Sequence, residues 1–388
     1  MTPATVSGLD VLLLPLSRDG RVADPIALDR LARRLPGVAD CFVFCHGWLF
    51  DRAEARNEAA TFFGHLDAAL GDRGRASVLR VALHWPSKPF GDETESGAES
   101  LWPALSRAIG LSTDDEIDDL LLELCDSEVP LGAEEEAELE ALRRRLRSRG
   151  ISPLSPVHAL SFWVMKRRAG QVGQRLAGQC LLPLLTSLGG ARPRVHLIGH
   201  SFGAKLVTSL VLGGLRVESL VLLLGAFSAF AFAAEIPGID RPGMYRPVLV
   251  ERRVSGAIAV LHSAHDRALG TLYPAVTGTG QPGRGAIAAG QHGRKRDVVA
   301  ASAIGAVGAR GVGAPEVDLV DVQTAGIPRW PIVNVNGSRV VSATDPLVGA
   351  HRDIHHREIA TLILLAAGLL QGGPQGVRPP RTRPLAVA

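Results

Sequence analysis

Tyrosine is scarce in this chain, with two residues in 388, and all aromatics together make up 5% of it. A platform for single-stranded nucleic acid needs a run of rings to stack bases on, so the composition argues against that role. An excess of one charge is missing too. The 42 Lys and Arg residues nearly cancel the 39 Asp and Glu residues, leaving +3, and no bulk field favours a nucleic-acid partner. The four cysteines, Cys41, Cys45, Cys125 and Cys180, are too few for a disulfide framework. Cys41 and Cys45, four apart in an apolar run, share one face of a strand and are expected to be buried small hydrophobes.

Uninterrupted apolar runs are also short. The longest region, Leu206 to Ala234, is broken by Gly213, Gly214, Arg216 and Glu218. It fits a helix, a turn and a buried strand rather than a membrane span. Met1 to Asp10 lacks a basic stretch followed by an apolar one, so no signal peptide is expected and the cytoplasm is the expected compartment.

What is present is ample core material, 46% hydrophobic residues, in an alternating pattern. Short apolar strands are predicted at Val11–Pro15, Cys41–His46, Val78–Trp85, Val195–Gly199, Ser219–Leu224, Ala257–His262 and Pro331–Val335. Helices are predicted at Pro25–Leu35, Ala53–Leu70, near Val157–Leu185 and at His356–Leu370. Strands apolar on both faces and alternating with helices predict an α/β architecture, a doubly wound, mostly parallel sheet flanked by helices. One domain is expected over 1–370. Within it, 87–155 breaks the alternation and reads as a helical insertion or cap. Its acidic run from Thr113 to Glu140, followed by Arg143 to Arg149, is expected to be a solvated helical hairpin. Such a hairpin is also placed to act as a lid over a cleft. Thr277 to Gly313 reads as loop with a short helix, and 371–388, rich in Pro and Arg, as a disordered tail.

The most informative stretch is Arg194 to Val207, an apolar strand running through Gly199-His200-Ser201-Phe202-Gly203 into a helical pattern. This is the sequence form of a serine held on a sharp strand-to-helix turn. Two glycines flank it because strand and helix backbones come too close there for a Cβ. A glycine-rich chain (43 of 388) can supply the five letters by accident, so the partners must be found independently.

A serine hydroxyl needs a base within hydrogen-bond reach, and the base needs an orienting acid. In a parallel sheet these should follow the carboxyl ends of strands. Asp266 does, just past Ala257–His262, although an aspartate there could equally cap the next helix. Three histidines compete for the base: His351, after a loop glycine, is best placed, with His355 and His356 expected to begin the helix. His351 and His355 are spaced i, i+4, but Asp353 between them completes no recognised ligand pattern, so no metal and no cofactor is expected. His200 is expected to pack at the turn, and His265 is too near Asp266 in sequence to pair with it. Backbone N–H groups to stabilise an oxyanion are expected from Phe202 and, after His46-Gly47, from Trp48, with Leu49 as second choice.

With these residues in view the chain resembles the α/β-hydrolase superfamily. The likeness rests on Gly199-His200-Ser201-Phe202-Gly203, on His46-Gly47-Trp48, and on the order Ser201, Asp266, His351. It also looks like poorly characterised bacterial members through Leu224-Gly225-Ala226-Phe227-Ser228 and Gly349-Ala350-His351-Arg352-Asp353-Ile354. It covers roughly 9–86 and 155–370. The resemblance implies an α/β-hydrolase fold and hydrolysis through an acyl-enzyme, and a serine in this place speaks against the branches that use aspartate. A serine hydrolase cleaving a carboxylic ester or related acyl bond is therefore expected. A peptidase or amidase, or a non-catalytic scaffold on the same fold, is the alternative. Ala226 to Phe232 could line an acyl pocket for a lipophilic small-molecule substrate, or simply pack in the core. Oligomeric state is not readable.

Overall fold

Continuous apolar runs bounded by Gly, Pro or charge become strands when both of their faces are covered, and the chain folds accordingly. The computed structural model describes residues 9–71, 77–88, 130–138, 156–277 and 302–370. The proposed tail at 371–388 and most of the 87–155 insertion lie outside the described residues.

Among the described residues eight strands form one sheet: β1 (Val11–Pro15), β2 (Asp40–Cys45), β3 (Val78–His84), β4 (Arg194–His200), β5 (Ser219–Leu223), β6 (Ile258–His262), β7 (Glu316–Asp318) and β8 (Ile332–Asn336). Their order is β1-β3-β2-β4-β5-β6-β8-β7, and every neighbouring pair is parallel. Every residue of β2, β3, β5 and β6 is buried, as expected for strands covered on both faces. The architecture is α/β. β7 is the one strand without a sequence signal: it is three residues long, polar and at the sheet edge.

The principal helices are α1 (Pro25–Arg34), α2 (Arg52–Leu70), α3 (Pro156–Leu176), α4 (Phe202–Leu212), α5 (Tyr273–Thr277) and α6 (Arg357–Ala366). Their starts are chemically specified. Asp24 caps α1, with Pro25 in the first turn, and Asp51 and Glu54 form a reciprocal capping box on α2, both bonds 2.8 Å. Caps of this kind stabilise a helix by about 1 kcal/mol. α3 packs on α4 and α2 on α6, while Phe44 of β2 stacks on Phe62 of α2, centroids 4.2 Å apart. Cys41 and Cys45 are buried, free thiols, and burial pushes the Cys41 thiol up to about 12. Among the described residues no helix is long and apolar enough to cross a membrane.

The order places β2 and β4 side by side at the point where the chain reverses its direction of growth across the sheet. A crevice opens at such a point, beyond the carboxyl ends of the strands. The loops after β2, β4, β6 and β8 all emerge on that edge.

Where it is described, the acidic run is mostly buried rather than a solvated face, with Glu136 alone of its four carboxylates exposed. Residues 133–138 are helical, and Glu134, Glu135 and Glu138 are buried to within 5% exposure. Glu135 pairs with Lys205 of α4 and Glu138 with Lys166 of α3. A buried carboxylate needs a partner, and these partners lie 70 and 28 residues away.

Candidate active site

Ser201 stands between β4 and α4 in a backbone conformation that side chains rarely adopt, φ 57° and ψ −120°. Such a residue costs on the order of 1–3 kcal/mol and persists only where its surroundings hold it. Here the Ser201 N–H donates to the Leu223 carbonyl at 3.0 Å, and the Ser201 carbonyl accepts from Ala226 N–H at 3.1 Å. The flanking glycines are needed for contact: a Cβ on Gly203 would overlap the carbonyl oxygens of Cys45 and His46, and one on Gly199 would overlap the Gly203 carbonyl oxygen.

The loop after β8 reaches back over this turn. His351 Nε2 lies 2.9 Å from Ser201 Oγ, and His351 Nδ1 lies 2.7 Å from Asp266 Oδ2. A carboxylate only accepts, so Nδ1 carries the proton, and the bare Nε2 accepts from the serine hydroxyl. Asp266 also fills the structural role weighed for it: its Oδ1 accepts from Leu269 N–H at 2.9 Å. The two loops are joined by backbone, Ala350 N–H donating to the His265 carbonyl at 3.0 Å. Ser201 and Asp266 are 5% and 2% exposed.

The competing histidines have other partners. His355 Nε2 is 3.2 Å from Glu58, and His356 Nε2 is 2.7 Å from Asp353. His351 and His355 therefore do not converge on a common centre. His200 does more than pack. Its Nε2–H donates to the His351 carbonyl at 2.7 Å, which leaves Nδ1 bare and, among the described residues, without a partner. Burial, and next the neighbouring His351, hold its basicity well below the ordinary histidine value. Sequence reasoning missed this bond because nothing in a Gly-His-Ser triplet says which way the first side chain turns.

Gly47, Trp48 and Phe202 lie at the same point. A Cβ on Gly47 would stand 3.0 Å from Ser201 Cβ and 3.5 Å from its Oγ. Leu49 N–H is already committed to the Ser87 carbonyl at 3.2 Å. Trp48 N–H and Phe202 N–H, by contrast, make no hydrogen bond among the described residues.

A cleft of about 100 Å³ opens onto Ser201. Its walls are nearly all apolar: Trp48, Phe50, Phe162, Leu269, Leu272 and Tyr273 contribute most of the bulk, and Ser201, His200, His351 and Arg352 the polarity. Of the Ala226–Phe232 stretch, weighed above as either cleft lining or core, only Ala226 lines the cleft. Phe227 and Phe232 pack on Tyr245 instead, and Phe230 joins a separate apolar cluster with Ala133 and Ile236. That run is core because its side chains point away from the crevice, a direction its composition does not reveal.

No family model matches the chain, and neither the curated proteins nor the solved structures contain a match to it.

Proposed function

We propose that this protein is a serine hydrolase of the α/β-hydrolase type, cleaving a carboxylic ester or related acyl bond of a lipophilic small molecule through an acyl-enzyme. The observation that carries the reading is the continuous chain from Ser201 through His351 to Asp266, with links of 2.9 and 2.7 Å.

In this reading Ser201 Oγ attacks the acyl carbonyl while its proton passes to His351 Nε2. Asp266 fixes the ring in the tautomer that can accept that proton and stabilises the cation formed. The negative charge on the former carbonyl oxygen is met by the N–H groups of Trp48 and Phe202. His351 then gives its proton to the leaving alkoxide as the ester C–O bond breaks, and the acyl group remains on Ser201. Water, deprotonated by His351, attacks the acyl carbon. The same proton returns to Oγ as the carboxylic acid departs. Apart from that water, every group this reading requires belongs to the chain. The apolar cleft supports an apolar acyl part.

A fluorophosphonate probe tests this directly. Wild type is labelled and Ser201→Ala, equally folded by circular dichroism, is not. Absence of labelling on folded wild type favours a non-catalytic scaffold. A panel of p-nitrophenyl esters against aminoacyl anilides then separates esterase from amidase: turnover of anilides at rates comparable to the esters would move the assignment to a peptidase or amidase.

A further inference from the structure

Five cleft residues, Ala268, Leu269, Leu272, Tyr273 and Val276, come from one short stretch. It runs through a wide helical turn at Ala268–Leu272 and into α5. Turns of that kind are uncommon and concentrate at functional sites. α5 is five residues long, too short to be rigid alone. What holds the stretch is therefore a question about its two ends.

One end is Asp266, tied to His351 and to Leu269 N–H. The other end is Tyr273, whose phenol sits in a closed triangle. Lys166 Nζ donates to Tyr273 Oη at 2.7 Å. Tyr273 Oη donates to Glu138 Oε1 at 3.1 Å. Lys166 also pairs with Glu138. All three are buried to 2% exposure or less, and the Lys166 ammonium lies 4.9 Å over the Trp163 ring and 5.0 Å over the Tyr273 ring. The ring of Tyr273 lines the cleft, edge-on to Phe162 at 5.6 Å.

Burying an ammonium and a carboxylate is costly, and apolar residues of the same volume often stabilise a fold as well. A closed, hydrogen-bonded triangle does something an apolar contact does not: it fixes one phenol oxygen at one point, and with it the placing of the ring. Glu138 comes from the 133–138 helical stretch and Lys166 from α3, so the clamp joins that stretch to the cleft wall.

We propose that Tyr273 is a specificity-determining residue of the acyl pocket, and that Glu138 and Lys166 are positioning residues that hold its ring as a fixed wall. The 130–138 stretch thereby sets which acyl chain lengths the cleft accepts. The proposal rests on the hydrolase reading for what the pocket holds, but its geometry does not depend on turnover.

The test compares wild type with Tyr273→Phe, Glu138→Gln and the double variant Glu138→Leu/Lys166→Met, which removes both charges together and guards against a folding failure. Steady-state kinetics on p-nitrophenyl acetate, butyrate, octanoate and decanoate should show the decanoate-to-acetate ratio of kcat/KM changed by about fivefold or more, carried by KM rather than kcat. In parallel, calorimetric titration of butanoate, octanoate and decanoate into each variant on a Ser201→Ala background should show the same change in length preference as a shift in Kd. A folded Tyr273→Phe protein with the wild-type length profile overturns the clamp. So does a uniform loss at every chain length. If fluorophosphonate labelling and ester turnover both fail, the hydrolase reading falls, and the Kd series alone then decides the clamp: a length preference altered by the variants upholds it, and an unaltered preference or no binding overturns it.

Discussion

His200 holds the backbone of His351 in place: its Nε2–H donates 2.7 Å to the carbonyl of the residue whose ring faces Ser201. The side chain that precedes the serine thus sets the height of the loop that follows β8. Replacing it with phenylalanine keeps the ring volume and removes the donor. We expect kcat for an ester to fall by about three- to tenfold, the size of one lost buried hydrogen bond, with KM little changed. Equal kcat in wild type and His200→Phe would assign the bond a packing role only.

Asp266→Asn keeps the shape of the acid but offers an N–H where His351 Nδ1–H needs an acceptor. The imidazole then turns to the wrong tautomer, and kcat should drop by about 10⁴-fold. Because Asp266 Oδ1 also caps the turn at Leu269, melting temperature belongs in the same experiment. A loss of activity that tracks a loss of fold would speak for the cap alone.

Two glycines packed close to the serine turn, Gly203 and Gly47, should fail in different ways. On Gly203 a Cβ collides with the backbone of β2, which cannot move without breaking its pairing with β3 and β4. Gly203→Ala is expected to destabilise by about 3 kcal/mol or more, read as a large drop in melting temperature. On Gly47 the Cβ meets the Ser201 side chain at 3.0 Å. Gly47→Ala should fold and lose activity, seen as slowed fluorophosphonate labelling at a near wild-type melting temperature.

Buried Glu134 gives the fold a pH signature. Burial, and next the charge of Glu135, raises its carboxyl from an ordinary 4.5 to about 7, and Met244 N–H donates to it at 3.1 Å. Between those two values the unfolded chain has lost the proton and the folded chain keeps it. The folded state therefore loses stability as pH rises through that window, by up to about 3 kcal/mol. Glu134→Gln cannot ionise. Its melting temperature should gain on wild type between pH 5 and pH 7.5. His46, buried and lowered to about 3, adds the opposite slope below its ordinary 6.5, so the difference between the two proteins, not either curve alone, is the quantity to compare. Parallel curves would refute the assignment to Glu134.

The legible part of this molecule was whatever depends on local pattern. β2 and β6 announce themselves as apolar runs with a stop, and Gly47, Ser201, Asp266 and His351 were each found by following a strand past its end. The structure brings the last three together, and leaves His355 and His356 with Glu58 and Asp353. Whatever depends on direction or distance stayed hidden. A run of glutamates looks solvated until Lys166 and Lys205 are seen to meet it from two other helices. For Phe227, Phe230 and Phe232 composition left pocket lining and core both open, and the direction of the chain after β5 decides for the core. Much of the true lining, Leu269, Leu272 and Tyr273, comes from a wide turn and the start of the five-residue helix after it, pieces too short to show a period.

The pairing at the middle of the sheet has a cost in time. Asp40 of β2 sits beside Arg194 of β4, so the two central strands cannot meet until a long intervening chain has been brought round. The entropy of closing that loop must be met before any of the pairing it permits is gained. Until then β2 and β4 each offer an apolar, unpaired edge to other chains. Refolding from denaturant should be slow and should lose yield steeply with protein concentration, and the crevice that holds Ser201 should be among the last features of the fold to form.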